Sequence, residues 1–151
     1  LEYTDQDGSR KRPIMIHRAL FGSIEPFFGS LIEFFAGKFP LWLSPSQVAI
    51  IPVADRHIPY AKTLAKAFYD EKFEVHVDQT QESVSKKIRN AQLLQYNYLL
   101  TVGDQEVEKN TVSVRTRDMV VHGEMQPDIL LSLMKEERNK KMLSSPLTKN
   151  G

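Results

Sequence analysis

The chain has no cysteine among its 151 residues. That excludes disulfides and any thiolate-ligated metal supplied by this stretch, and it fits an intracellular setting. Long apolar runs are also missing. None approaches the roughly 18 residues that a membrane span needs, and the N-terminus has no basic-then-apolar leader, so it does not read as a targeting peptide. A surplus of charge of one sign is absent too: 20 Lys and Arg stand against 19 Asp and Glu, for a formal net charge of +1. Any affinity for nucleic acid must therefore come from a local basic face rather than from global charge. No segment repeats. What is present is the composition of a folded globular protein, 41% hydrophobic and 26% charged. The length fits one medium domain, or one small domain plus part of another.

The opening LEYTDQDGSRKRPIMI reads as a hairpin. Leu1 and Tyr3 alternate with polar residues, Asp7-Gly8 is a tight-turn signal, and 13–16 is a second apolar strand. A lone hairpin is marginal in water, so a larger sheet is expected, its other strands lying outside this sequence. On that reading the chain is a fragment, or the C-terminal part, of a longer one. Over 24–39 the residues Ile24, Phe27, Phe28, Leu31, Ile32, Phe34 and Phe35 recur at helical spacing and predict a buried helix. Ser23 is its expected N-cap, Glu25 and Pro26 fall in its first turn, and Gly37 and Pro40 close it.

After a connector at 44–47 the pattern alternates. Strands are expected over 48–53, 73–77, 98–102 and 111–117, with 119–122 pairing onto the last. Helices are expected over 59–72, with Tyr60, Leu64, Ala65, Ala67 and Phe68 inward, over 83–95, and over 127–141, with Ile129, Leu130, Leu133 and Met134 forming the apolar stripe. This order predicts an α/β unit with a mixed five-stranded sheet, a parallel core and helices on its faces. The expected boundaries are 1–43 for the hairpin and helix, 44–141 for the α/β domain and 142–151 for a disordered tail.

Several residues stand out chemically. His17 ends an apolar strand before a glycine turn; a lone histidine makes no metal site and by itself reads as structural. Gly22-Ser23 is a turn and cap, at a helix start that tolerates negative charge. Arg115 and Arg117 alternate with Val112 and Val114, which puts both on the open face of a half-exposed strand. Lys86, Lys87 and Arg89 open a nearby helix. Such groups are either solvated charges or holders of unstacked bases and phosphates. Glu106 suits base donors rather than phosphates. His57, His76 and His122 read as surface or edge residues.

Two blocks then point to a family. RPIMIHRALFGS followed by IEPFFGSLIEFFAGKFPLWLSPSQ resembles the last conserved block, motif 3, of threonyl-tRNA synthetases, which are class II enzymes. SPSQVAIIPV, KKIRNAQLLQYNYLLTVGDQE and TVSVRTRD resemble the anticodon-binding domain shared by threonyl-, prolyl-, histidyl- and glycyl-tRNA synthetases, the last two being nearest to threonyl enzymes, eukaryotic ones in particular. The resemblance implies the end of a class II antiparallel catalytic domain joined to an anticodon-binding domain. It implies ATP-dependent charging of tRNA(Thr) with threonine through threonyl-adenylate, with Mg2+ accompanying ATP, in a cytoplasmic or mitochondrial homodimer joined through the catalytic domain. His17 matches one of three protein ligands of a catalytic Zn2+, the other two lying upstream in the family, and Ser23 matches a threonine and adenylate contact. Glu106 and Arg115 match anticodon-reading positions, as does Gln81, where many members have asparagine. The family's G-S-x-E-R ends in an ATP-contacting arginine; here Gly22-Ser23-Ile24-Glu25-Pro26 puts a proline there, and proline cannot replace a guanidinium. The isolated 151 residues are expected to be inactive. Two other readings stay open: a non-catalytic module that binds tRNA or other RNA, and a structural paralogue acting through dimer contacts.

Overall fold

A computed structural model describes residues 1–148. They form two compact units that divide between Phe34 and Phe35.

In the first unit, β1 (Tyr3–Thr4) and β2 (Arg10–Lys11) pair antiparallel, with Tyr3 opposite Lys11. The turn between them needs Gly8, whose φ is +78°, a left-handed value that glycine adopts without a Cβ penalty. The hairpin thus closes earlier than expected, and 13–16 is not a strand: Ile14 and Ile16 are 92% and 83% exposed. An apolar run becomes a strand only when a neighbour takes up its N–H and C=O groups, and no such neighbour is present among the described residues of this unit. α1 (Ile24–Phe35) follows. It stops short of the expected 39 because Ala36 and Gly37 both take positive φ, 49° and 74°. The helix was expected to be buried, yet none of its residues is. Its apolar stripe is real, but within this unit little packs on it beyond the Phe21 ring, stacked 4.3 Å from Phe27.

The second unit carries a five-stranded sheet in the order β4-β3-β5-β6-β7. β3 (Val48–Pro52) lies between β4 (Val75–Val77) and β5 (Tyr98–Val102), parallel to both. β6 (Val112–Thr116) and β7 (Val121–Met125) extend it antiparallel. α2 (Ile58–Asp70) makes the first crossover and α3 (Val84–Leu93) the second. α4 (Asp104–Lys109) is a short helix absent from the expected elements, and α5 (Pro127–Asn139) follows the last strand. The expected mixed sheet with a parallel core is therefore what the chain forms.

Alternate residues of the central strands feed two cores. Val48, Ile50, Tyr98, Leu100, Val112 and Val114 meet Leu64 and Phe68 of α2 and Leu130 and Met134 of α5 on one face. Ala49, Ile51 and Leu99 meet Ala91 of α3 on the other. That two-sided covering explains why β3 reads as a continuous apolar run rather than an alternation. Each large apolar side chain so buried contributes roughly 1.5–3 kcal/mol. The inward faces differ in detail from the periodicity: Ala61 rather than Ala67 is buried in α2, and Ile129 of α5 is 53% exposed. Part of the expected tail is held in place. Ser145 Oγ lies 2.5 Å from the Tyr98 hydroxyl, which donates to Glu137 at 2.5 Å, and Leu147 packs against the first core. Buried polar groups recruit whatever partner the chain brings within reach. Residues 149–151, also within that expected tail, lie outside the described residues.

Candidate nucleic-acid interface

The two sheet faces are not equally covered. In antiparallel pairs, residues directly opposite share a face. Leu99 is opposite Arg115, which is opposite Val121; Thr101 is opposite Ser113, which is opposite Glu124. All six therefore belong to the face that α3 covers. Its core, however, ends at Leu99. Beyond it the face is open: Thr101, Ser113 and Arg115 are half-exposed, and Val121 is 55% exposed. A register shift beside Arg115 leaves His122 as an extra residue on β7, and Gly123 accommodates it with a φ of +81°. Arg115 forms no side-chain hydrogen bond or ion pair with any described residue, and neither does the exposed Arg89 of α3. A half-exposed guanidinium with five unused donors beside an apolar patch suits a nucleobase or phosphate.

A second group gathers at the C-terminal ends of the parallel strands, where β3 sends its crossover to one face of the sheet and β4 returns along the other. Crevices at such points are the usual binding places of open α/β sheets. The chain leaving β3 makes a short 3-10 turn, Asp55–His57. Arg56 grips Asp104 of α4 with two donors, Nε at 2.9 Å and Nη2 at 2.6 Å. His57 Nε2 lies 2.8 Å from the same carboxylate, and its Nδ1 accepts the Ala54 N–H at 3.1 Å. The accepting Nδ1 carries no proton, so Nε2 holds it and donates to Asp104. These contacts from Arg56 and then His57 hold the Asp104 carboxyl well below the usual carboxylate range. Gln81, beyond the end of β4, donates to Asp55 at 3.3 Å. Glu106 bends back to accept the Gly103 N–H at 2.8 Å through Oε2, which leaves Oε1 free. Burial first, and the Glu106 charge second, raise the Tyr60 phenol above its ordinary value.

Of the residues singled out from the sequence, Gln81 and Glu106 thus sit on one rim, joined through Asp55, His57 and Asp104, while Arg115 stands apart on the open face, at the rung nearest the start of β5 but one. Arg117 does not share that face. It lies just past β6, and its guanidinium donates to the carbonyls of Phe39 at 2.7 Å and Lys38 at 3.0 Å. Alternation fails because the chain turns there: Met119 N–H donates to the Thr116 carbonyl. Lys87 is 6% exposed rather than solvated, its amine drawn to the Asp78 carbonyl at 3.3 Å, and Lys86 pairs with Glu82 at 2.7 Å. His57, expected at the surface, is 2% exposed. The expected edge positions of His76 and His122 hold: His76 is exposed and stacks on Tyr96, and His122 meets Thr116 at 2.7 Å. Asp55, Arg56 and Asp104 were passed over. The signal available was the pattern Gly103-Asp104-x-Glu106, a glycine cap followed three residues later by a glutamate, which marks a helix start.

In the first unit, His17, Ser23 and Pro26 are all exposed. A cavity of about 440 Å³ there is lined by Arg18, Phe21, Phe27 and Phe28 among others, and Ser23 is not part of the lining. No group of three His, Asp or Glu side chains able to hold a metal ion occurs among the described residues. A zinc site needs three or four converging donors, and these residues offer His17 alone.

A family model for the anticodon-binding domain matches residues 47–137. With the parallel-core sheet and its uncovered half-face described, the chain belongs to the anticodon-binding domain family. It is 63% identical over 146 residues to a threonine–tRNA ligase of Protochlamydia amoebophila, covering 97% of this chain and 22% of that protein. A threonine–tRNA ligase of Chlamydia felis is 57% identical over 139 residues, 92% of this chain and 22% of its own length. The solved RNA-binding domain of threonyl-tRNA synthetase from Cryptosporidium parvum superposes with a TM-score of 0.73 at 32% identity, covering 97% of this chain and 36% of that one. The resemblance to threonyl-tRNA synthetases is thus carried by nearly the whole chain, with bacterial sequences supplying the 63% and 57% identities. The chain spans about a fifth of the length of the curated relatives it matches.

Proposed function

We propose that this chain is the anticodon-reading end of a threonine–tRNA ligase, joined at its N-terminal side to the last part of a class II catalytic domain. The observation that carries the reading is Arg115. It is a cation with no partner among the described residues, on a stretch of sheet face beyond the core that α3 covers. Glu106, with one carboxylate oxygen committed to Gly103 and one free, accepts from base donors. Gln81 supplies a further polar contact at the same rim. Basic and acidic groups mixed in this way select bases rather than merely attract phosphates.

The longer protein binds ATP with Mg2+ and threonine, forms threonyl-adenylate and transfers threonine to the terminal adenosine of its tRNA, in the cytoplasm and as a homodimer joined through its catalytic domain. Ser23 contributes to the threonine and adenylate pocket. His17 supplies one ligand to a zinc ion whose other ligands come from outside these residues; the described residues alone do not build that site, and the isolated chain is expected to have no synthetase activity. Pro26 favours a second reading, in which the protein holds RNA without charging it, because an ATP-contacting arginine is missing from the first turn of α1. Pyrophosphate exchange by the full-length protein with threonine and ATP separates the two: robust exchange with Pro26 in place removes the binding-only reading. The anticodon reading is tested by Arg115→Ala in the full-length protein. It weakens tRNA recognition by about 1–3 kcal/mol, the range for a good base contact. Unchanged aminoacylation efficiency in that variant refutes the assignment.

A further inference from the structure

The turn that follows β3 touches Gln81 directly and Glu106 only through Asp104, and nothing about strand or helix stability requires it to. Asp55 receives Gln81, while Arg56 and His57 converge on Asp104, two residues before Glu106. A charge pair this exposed, with the Arg56 and Asp104 side chains 67% and 70% accessible, contributes little stability. Three donors on one exposed carboxylate nevertheless fix its place. His57 is the firm element: its side chain is 3% exposed, and the Ala54 N–H dictates which nitrogen donates. Asp104 opens the six-residue α4, so holding it sets the position of that helix and of Glu106 in its first turn. The Gly103 N–H then fixes the Glu106 rotamer through Oε2 and leaves Oε1 without a protein donor among the described residues.

We infer that Asp55, Arg56, His57 and Asp104 form a bracket of positioning residues that holds Gln81 and Glu106 in the geometry needed to discriminate anticodon bases. The inference rests on the reading of Glu106 above. A base-reading acceptor is useful only within a fraction of an ångström of its donor, and a side chain on a short helix joined to its strand by a single glycine gains that precision when the helix start is also tied to a rigid neighbour. Here the neighbour is the turn after β3, the most deeply buried strand of the sheet.

The test uses full-length ligase and measures kcat/KM for aminoacylation of the threonine tRNA and of transcripts with single anticodon substitutions, the ratio being the discrimination. Melting temperature and pyrophosphate exchange are followed in parallel. Asp104→Ala is expected to reduce discrimination about fivefold or more, chiefly through KM for tRNA, and Asp104→Asn, which keeps one acceptor oxygen for Arg56 Nε and His57 Nε2, to restore most of it. Combined with Glu106→Ala, Asp104→Ala adds little further loss, as expected of residues acting through one another. Arg56→Ala, at an exposed side chain, gives the same change in a smaller degree and stands in should Asp104→Ala fold poorly. Unchanged discrimination in both Asp104→Ala and Arg56→Ala, while Glu106→Ala reduces it, overturns the bracket and leaves the anticodon reading intact. Losses that simply multiply in the double variant overturn it too. Full discrimination in Glu106→Ala removes the anticodon role of Glu106 and the bracket with it.

Discussion

α1 and α2 are both amphipathic and of similar length, 12 and 13 residues, yet they end in opposite environments. Phe68 of α2 is fully buried under the sheet, while Phe28 of α1 is 53% exposed and no residue of α1 is buried. The difference lies in what each unit offers. In the second unit three parallel strands present alternating Val, Ile and Leu to a helix that arrives directly from β3, so the crossover lays α2 on its cover. In the first unit a two-residue ladder and an unpaired apolar stretch give α1 no sheet to lie on. Helical periodicity states that a face wants covering; it does not say where the cover is.

Substitution breaks or sharpens this contrast, and the largest effect belongs to the buried helix. Phe68→Ala is expected to cost about 3–5 kcal/mol in urea unfolding, because a large side chain is removed from a site that cannot collapse around the cavity. Phe28→Ala in the same 151 residues stays within about 0.5 kcal/mol, as at an ordinary surface position. Equal costs would end the contrast. A larger cost for Phe28→Ala in the longer protein than in this chain would sharpen it, by showing that the cover is elsewhere in the polypeptide.

The same logic applies to two arginines two residues apart. Arg117→Ala takes the side-chain donor from the Lys38 carbonyl and leaves the Phe39 carbonyl with Asn97 alone, and should lose about 1–3 kcal/mol of stability. Arg115→Ala, with no partner to strand, should leave the unfolding midpoint in place while weakening tRNA binding. A loss of stability in Arg115→Ala equal to that of Arg117→Ala would contradict the free guanidinium.

The smallest effects concern two carboxylates and have opposite signs. Burial pushes the Glu137 carboxyl above its ordinary value, with the Tyr98 hydroxyl and the Arg117 charge pulling back against it. The folded state then binds the proton more tightly than the unfolded one, so this contribution is complete below about pH 4.3 and is lost as pH rises through the folded value. Asp104 is depressed by Arg56 and His57, so its contribution is present above about pH 3.9 and is lost as pH falls. Stability measured against pH should therefore lose a small part of its acid limb in Asp104→Asn, Asp78 and others keeping the rest, and part of its rise toward mild acid in Glu137→Gln. An identical change in both variants would show that the two environments do not differ.

Much of the fold was legible. The strand at 98–102 is found where expected, and the other elements of the second unit shift by one to three residues at their ends, where caps such as Ser83 decide the limit. α4 was missed because six residues hold too little periodicity to announce a helix, although the Gly103 and Glu106 capping pair was there to be read. The candidate site was legible only in part. Arg115 is placed on an open face by strand alternation, but the same alternation misplaced Arg117, since the chain turns immediately after Thr116. Lys87 and His57 were misread because a charged or polar residue type says nothing of the carbonyl or carboxylate that folding brings to it from far along the chain.

Local order was written in the residues themselves. The spacing of apolar side chains, the glycines at positive φ and the two-sided apolar runs specify which segments become helices, turns and central strands, because those choices depend on neighbours a few positions away. Which groups meet at the rim, which cations are left free and which helix finds a cover depend on pairs 26 to 79 residues apart, such as Gln81 with Asp55 and Arg117 with Lys38. Only the assembled sheet, with its helices packed on it, brings those partners within bonding distance.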